Sequence, residues 1–182
     1  MTKPYAALLR GINVGGSKKL PMAQLRALLA ALGHGDVRTY LQSGNAFFTS
    51  DHDDEAALAG QLRQAIAARF GFDVEVLVRD HDYLTAVVEA CPFPAASLRG
   101  KQLHVTYLSE RVDESRLASL DRAAFLPEEF RLGDRALYLY APDGLGRSPF
   151  GEALARSGPS KGVVATSRNW NTVLKLVELT EP

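Results

Sequence analysis

Short apolar stretches alternate with longer amphipathic ones in the first part of the chain. Pro4–Leu9 is an apolar run of strand length, and leucines recur at helical spacing from Pro21 to Gly33. Two further strand candidates, Val37–Leu41 and Ala46–Thr49, are separated by a polar connection of hairpin length. The pattern predicts a strand, a helix and a β-hairpin, in that order.

The next segment predicts a second helix and a fourth strand. The acidic run Asp51–Glu55 can cap free N–H groups at a helix start, and apolar residues then recur at helical spacing until Gly71. Val74–Val78 is rich in β-branched residues and predicts a strand. The order strand, helix, strand, strand, helix, strand is that of a ferredoxin-like unit.

The second half predicts the same order again. A helix over Asp80–Ala90 ends before the proline-containing segment Cys91–Pro94, and Leu103–Leu108 alternates apolar and polar positions as a strand does. Further predicted elements are a short helix at Asp113–Leu120, strands at Glu128–Leu132 and Ala136–Tyr140 around Gly133-Asp134, a helix at Phe150–Arg156 and a strand at Gly162–Ala165.

A last helix is predicted at the carboxyl end of the sequence. Thr166 or Ser167 can cap it, and its apolar face comprises Trp170, Val173, Leu174 and Val177. We therefore predict an α+β fold of two ferredoxin-like (βαββαβ) subdomains with antiparallel sheets, a linking helix and a C-terminal helix. The predicted divisions are 1–79 for the first subdomain, 80–100 for the linking helix and proline-rich connection, and 101–182 for the second subdomain with its helix.

The strongest candidate for function is the glycine-rich loop, Arg10–Lys19, between the first strand and the first helix. Its glycines permit tight turns and leave backbone N–H groups free, and Lys18 and Lys19 follow directly. Such a loop suits a phosphate or a carboxylate. The alternative is a wide turn whose glycines serve packing, and both interpretations stay open. A Walker A motif is disfavoured, because Ser17 stands at the position of its lysine.

The chain as a whole has 21 basic and 21 acidic residues, so charge matters only locally. A second basic segment, Ala153–Val177, lies near the carboxyl end. We predict that folding brings this segment and the glycine-rich loop to one anion-binding site. The alternative is that Trp170 is a core residue and its polar neighbours tie the helix to a loop. The predicted ligand-binding residues are Arg10, Gly11, Asn13, Gly15, Gly16, Lys18, Lys19, Ser43, Asn45, Lys161, Arg168, Asn169, Trp170 and Asn171.

The remaining residue types that could carry chemistry are interpreted as structural. Asp51–Asp54 are interpreted as helix-capping residues rather than as a metal site, and His104 as a structural residue, since no nucleophile or carboxylate partner can be assigned to it. We predict no metal site and leave catalysis and cofactors open. The single cysteine, Cys91, excludes an internal disulfide and favours a reducing compartment. No membrane span or secretory signal is recognisable, so a cytoplasmic location is expected.

Four ordered motifs resemble a bacterial family catalogued only as a domain of unknown function. They are Arg10–Gly16, Tyr40–Asn45, Leu103–Leu108 and Arg168–Val173. The resemblance implies two ferredoxin-like subdomains, and it implies no activity, substrate or catalytic residue. Family members commonly carry asparagine in place of Cys91 and a serine–lysine pair in place of Ser148-Pro149. The first difference argues against a general nucleophilic role for Cys91, and the second against a basic role for the loop.

Three functions remain open from the sequence. The favoured one is binding of an anionic ligand, either a phosphorylated small molecule or nucleic acid, between the glycine-rich loop and the C-terminal helix. The second is an enzyme of unknown reaction that uses the loop to hold a phosphate or a carboxylate. The third is a protein-interaction scaffold. The oligomeric state is left open.

Overall fold

The computed structural model describes residues 1–156 and 161–182. The chain forms two compact units, one of Met1–Leu84 with Leu176–Pro182 and the other of Thr85–Lys175. The last residues return to the first unit through two hydrogen bonds. Arg38 Nη2 donates to the Leu179 carbonyl at 2.8 Å, and the His81 ring lies 3.0 Å from the Thr180 hydroxyl.

The first unit begins with a strand, a helix and a hairpin, followed by a second helix and a strand. Their bounds are β1 Lys3–Leu9, α1 Met22–Ala31, β2 Gly35–Tyr40, β3 Asn45–Ser50, α2 Glu55–Phe70 and β4 Val76–Asp80. The strands pair in the antiparallel order β2-β3-β1-β4. Asp54 caps α2 by accepting from the Ala56 and Ala57 N–H groups, and Gly71 ends it at a positive φ of 78°.

The core of the first unit forms where helix and strand periodicities meet. Alternate β1 residues Tyr5, Ala7 and Leu9 pack with Leu25 and Leu29 of α1 in one apolar cluster, which Leu62 and Ile66 of α2 also join. These side chains are fully or almost fully buried. Because the helices and the sheet each bury one apolar face, their apolar residues recur at helical and strand spacing, and the sequence predicts both kinds of element.

The second unit repeats this order, after α3 His81–Glu89 has carried the chain across the division. Its elements are β5 Leu103–Leu108, α4 Arg122–Phe125, β6 Glu129–Gly133, β7 Ala136–Tyr140, α5 Pro149–Arg156 and β8 Ala165–Asn169, followed by α6 Trp170–Glu178. The antiparallel order β6-β7-β5-β8 matches that of the first sheet. A cluster including Leu137, Leu139, Phe130 and Phe150 forms its core. In the described residues the fold is thus α+β with two ferredoxin-like subdomains.

Several predicted boundaries in the second unit are wrong. The predicted helix 113–120 is one 3₁₀ turn at Glu114–Leu117, and the α-helix that follows is α4. The β6–β7 turn is Asp134-Arg135, since Gly133 pairs with Ala136. The predicted strand 162–165 shares only Ala165 with β8.

The start of the last helix also differs from the prediction. Thr166 and Ser167 belong to β8, and the Asn169 side chain accepts from the Thr172 N–H at 3.0 Å at the beginning of α6. Val173 and Leu176 are fully buried, whereas Leu174 is 45% exposed and does not belong to the buried face. In the first unit, β4 is shifted by two residues towards the carboxyl end of the predicted strand 74–78.

Candidate functional site

The glycine-rich loop leaves the sheet at the end of β1. The Leu9 N–H donates to the Gly44 carbonyl at 2.9 Å and the Arg10 N–H to the Glu75 carbonyl at 3.0 Å. Gly15 and Gly16 have φ values of 63° and 77°, and the Ser17 N–H donates to the Val14 carbonyl. Positive φ at both central positions is characteristic of a type I′ turn, which glycine adopts without steric cost. The tip of the loop is therefore a tight, exposed turn.

Asn13 holds this loop in place. Its Nδ2 donates to the carbonyls of Leu20 at 2.9 Å and Gln42 at 2.7 Å, and its Oδ1 accepts from the Leu20 N–H at 2.8 Å. Both amide donors are used, and φ is 55° at this residue, a conformation that asparagine tolerates better than most side chains. Asn13 therefore positions the loop and has no donor left for a ligand.

The β2–β3 connection lies beside the glycine-rich loop, because Asn13 bonds the Gln42 carbonyl. Asn45 is fully buried and donates to the Tyr40 carbonyl at 2.9 Å, so this predicted ligand residue is part of the hairpin framework. Ser43 is exposed. At Gly44, where φ is 95°, a Cβ would lie 2.8 Å from Leu9 Cβ, so only glycine fits there.

Positive charge concentrates around the loop, but part of it is paired. Arg10 Nη1 lies 2.9 Å from Glu75 Oε2, and Lys18 Nζ donates to the Asp73 carbonyl at 2.8 Å. Arg63 makes a bidentate pair with the Asp73 carboxylate, and this hydrogen bond lowers the pKa of Asp73. Lys19 is exposed and has no ionic partner in the described part of the chain.

The residues predicted near the carboxyl end are largely used by the fold of the second unit. Arg168 lies in β8, is 8% exposed, and donates to the Thr166 hydroxyl and the Ser167 carbonyl. Burial lowers the pKa of its guanidinium to about 10, which still leaves it protonated at neutral pH. Trp170 is buried, and the Asn169 side chain caps α6 by accepting from the Thr172 N–H. The side chains of Arg168, Asn169 and Trp170 therefore stabilise β8 and α6.

Two members of this group remain on the surface. Asn171 and Lys161 are exposed. Asn171 packs so closely on Gly100 that a Cβ there would lie 2.4 Å from the amide, and the Lys161 carbonyl accepts a hydrogen bond from Arg116. The loop residues Arg10–Lys19 belong to the first unit and residues 161–171 to the second. The prediction that both form one site remains a prediction.

Two polar residues that were not among the predicted site residues lie together in the second unit. Glu128 and Ser148 are both buried, and the Ser148 hydroxyl donates to Glu128 Oε2. The sequence places Ser148 before Pro149, which is typical of a helix start, but it carries no signal for a buried Glu128 at the edge of a strand. Residues 20 positions apart meet here through the β6–β7 hairpin.

His104 and Cys91 show no catalytic arrangement. His104 is 7% exposed, and burial lowers the pKa of its imidazole. Its Nδ1 has no hydrogen-bond partner among the described residues. The Cys91 thiol points to the Phe93 carbonyl, and burial raises its pKa, so thiolate formation is disfavoured. Within residues 1–156 and 161–182, no three His, Cys, Asp or Glu side chains are grouped to hold a metal ion.

None of the helices in the described segments has the length and apolarity needed to cross a bilayer.

The topology defines an α+β protein built from two ferredoxin-like subdomains with a glycine-rich loop at one sheet end. The chain belongs to the family described as "Protein of unknown function (DUF1697)", whose model matches residues 1–138. It is similar to a solved structure described as conserved bacterial protein SP0830 from Streptococcus pneumoniae, with 26% identity, a TM-score of 0.79 and coverage of 100% of both chains. No curated protein matches the chain. The family resemblance is confirmed.

Proposed function

We propose that the protein binds a small anionic ligand, a phosphorylated small molecule, at the glycine-rich loop of its first unit. The observation that carries this proposal is the exposed turn at Gly15 and Gly16. Their backbone N–H groups have no hydrogen-bond partner in the described residues, and a Cβ at either position would meet no atom within 4 Å. Successive free N–H groups in such a turn suit phosphate oxygens.

Local charge supports the same ligand class. Arg10, Lys18, Lys19 and Arg63 stand around the loop, whereas the acidic side chains paired with this group are those of Asp73 and Glu75. The basic groups therefore outnumber the acids that neutralise them. Lys19 is the side chain best placed to pair with an anion, because Lys18 Nζ and Arg10 are already hydrogen-bonded.

A small phosphorylated molecule is favoured over nucleic acid. Binding of single-stranded RNA to a ferredoxin-like sheet uses exposed aromatic side chains on which bases stack. The best candidates in the sequence are Tyr107, Tyr138 and Tyr140, which do not form the expected RNA-binding signature. Tyr107 and Tyr138 are 0% and 2% exposed and Tyr140 is half-buried, so these rings do not form a row on which successive bases could stack. Among the predicted ligand residues of the second unit, Lys161 and Asn171 have exposed side chains.

The test is an NMR titration of the ¹⁵N-labelled chain with glycerol 3-phosphate, and with glycerol as the uncharged control. The amide signals of Gly15 and Gly16 are expected to shift with glycerol 3-phosphate alone. Lys19→Gln is expected to weaken binding about threefold, the size of one exposed charge interaction. Lys101→Gln removes an exposed lysine of the second unit and should leave binding unchanged.

Two results would contradict the proposal. One is the absence of shifts at Gly15 and Gly16 at millimolar glycerol 3-phosphate. The other is equal weakening by Lys19→Gln and Lys101→Gln, which would indicate unspecific charge attraction. Binding of a labelled RNA oligonucleotide, measured at increasing salt concentration, provides the comparison with nucleic acid. Tight RNA binding that weakens with salt would indicate that RNA, rather than a small molecule, is the ligand. The sequence-based prediction that Lys161 contacts the ligand requires that Lys161→Gln weaken binding of glycerol 3-phosphate.

A second candidate, a protein-interaction surface, is favoured by Val14 and Leu41. These side chains are 64% and 54% exposed, and they lie on the two loops that Asn13 joins. Leu41 has a φ of 61°, which is unfavourable for a residue with a side chain and indicates a conformation imposed by the loop. Light scattering over a concentration series tests self-association, which Val14→Ser should abolish. A constant monomer mass would exclude a second copy as the partner.

A further inference from the structure

A cavity of about 200 Å³ lies in the second unit, between the segment after α4 and the loop after β7. Its walls are about equally polar and apolar, and the apolar part includes Phe125, Leu126, Pro127, Pro142 and Pro149. The polar part includes Glu128 and Ser148, together with the exposed residues Asp143 and Arg147. All of these residues belong to the unit Thr85–Lys175.

The polar side of this cavity is a buried carboxylate. Glu128 is 7% exposed, and its Oε2 accepts from the Ser148 hydroxyl. Ser148 is 6% exposed, and its Oγ in turn accepts from the Gly151 N–H at 2.8 Å at the start of α5. Glu128 Oε1 has no hydrogen-bond partner in the described residues, and it retains accessible surface. One oxygen is therefore fixed and the other is free to accept.

The Glu128 carboxylate also lacks a cationic partner. No Lys, Arg or His nitrogen of the described chain lies within 4.0 Å of it. Arg122, which lines a neighbouring cavity with Glu128, donates to Glu114 and to the Phe130 carbonyl, and stacks 4.1 Å from the Phe130 ring centroid. Arg131 lies 3.7 Å from the carboxylate of Glu129. Arg122 and Arg131 are thus held elsewhere, and Arg147, which lines the cavity, has no nitrogen within 4.0 Å of the Glu128 carboxylate.

A buried carboxylate without a cation is costly, and one hydroxyl donor offsets only part of its lost hydration. We propose that this cavity binds a small organic cation, an alkylammonium ion, whose ammonium group donates to Glu128 Oε1. Its aliphatic stem lies against Leu126, Pro127 and Pro142. A volume of about 200 Å³ accommodates about six water-sized groups, which matches an amine of four or five carbons.

This site is independent of the glycine-rich loop. It lies in the other unit, and the sign of its ligand charge is opposite. A metal ion is a poor match, because Glu128 belongs to no group of three His, Cys, Asp or Glu residues among those described. One buried carboxylate beside the apolar residues Leu126, Pro127 and Pro142 fits an ammonium head on an aliphatic stem better than a hydrated divalent ion.

The proposal is tested on the full wild-type chain with three probes of one length: n-butylamine hydrochloride, n-butanol and sodium butyrate. NMR titration of the ¹⁵N-labelled protein should show saturable shifts for the amides of Gly144, Ser148 and Gly151 with butylamine alone. Equal shifts with butanol would mean that the cavity binds only the aliphatic stem, and would overturn the proposal. Absence of any shift with butylamine would overturn it too.

A pair of adjacent glutamates supplies matched variants. Glu128→Gln keeps the size of the side chain and removes its charge, and it should weaken butylamine binding at least about tenfold, as expected for loss of a charge-assisted hydrogen bond. Glu129→Gln makes the same change in net charge at a half-exposed residue, and its effect should stay within about twofold. Unchanged affinity in Glu128→Gln would overturn the proposal. If Glu128→Gln does not fold, the wild-type comparison of the three probes decides.

Discussion

At the scale of single residues, several side chains with the chemistry of ligand contacts are hydrogen-bonded within the fold. Asn13 bonds two carbonyls and one N–H, Asn45 is fully buried, and Asn169 caps a helix. Arg168 donates hydrogen bonds to two residues of its own strand. Among the predicted site residues, exposed side chains belong to Arg10, Lys18, Lys19, Ser43, Lys161 and Asn171, and Gly15 and Gly16 expose backbone N–H groups at the loop tip. Recognition of an anion at the glycine-rich loop would therefore depend on backbone N–H groups and lysine rather than on Asn13.

The structural role of Asn13 leads to a prediction about stability. Asn13→Ala removes three side-chain hydrogen bonds at a half-buried position, and it should lower the free energy of unfolding by about 2 kcal/mol. Urea unfolding followed by circular dichroism measures this. Gln42→Ala is the control, because its carbonyl still accepts from Asn13, and its effect should stay below about 0.5 kcal/mol. Equal stabilities of the two variants would mean that Asn13 does not hold the loop.

At the scale of elements, the predictable part of the fold is the part with a clear apolar period. α1, α2 and β5 lie where the sequence predicts them, because burial of a stripe or of alternate side chains leaves a direct trace in the sequence. β8 has the sequence Ala-Thr-Ser-Arg-Asn and carries no such trace. It is a strand because its backbone pairs with β5 from Ala165 to Asn169, a partner some 60 residues away in the chain.

The candidate site was likewise only partly predictable from the sequence. The glycines and lysines of the loop are visible as a composition signal, and the positive φ values at Gly15 and Gly16 agree with it. The bond from Asn13 to the Gln42 carbonyl spans 29 positions, and the bond between Ser148 and Glu128 spans 20. Such contacts depend on the strand pairing, so the residue types alone did not reveal them.

The N-cap residue of α2, Asp54, leads to a prediction about the stability of this element. Asp54 Oδ1 accepts from the Ala56 and Ala57 N–H groups at 2.9 and 3.0 Å, so Asp54→Ala should cost about 1 kcal/mol in unfolding free energy. Asp54→Ser restores an N-cap acceptor and should recover most of the loss. Asp51→Ala makes the same change in charge as Asp54→Ala outside the cap and should leave the urea midpoint unchanged. If Asp51→Ala and Asp54→Ala were equally destabilised, charge rather than capping would explain the effect.

At the scale of the whole molecule, the two subdomains are built alike but bury different polar groups. Each contains one nearly buried imidazole, His34 in the first unit and His104 in the second, at 8% and 7% exposure. His34 Nε2 lies 3.2 Å from Gln61 Oε1, and its ring centroid lies 4.6 Å from that of Phe48. Burial lowers the pKa of both imidazoles, so both are neutral in the folded chain at neutral pH.

These two pKa shifts give the stability of the molecule a pH dependence. The folded-state pKa of each imidazole lies below the ordinary value of 6.5, so the unfolded chain binds more protons as the pH falls through that range. The free energy of unfolding should therefore decrease from pH 7.5 to pH 5.5, a window above the titration of most carboxyl groups. Urea midpoints at the two pH values measure this decrease. His34→Gln and His104→Gln should each reduce it, because each removes one buried proton acceptor, whereas His52→Gln, whose ring is exposed, should retain the wild-type decrease. A wild-type midpoint that does not change with pH would contradict the burial of both rings as the source of the shift.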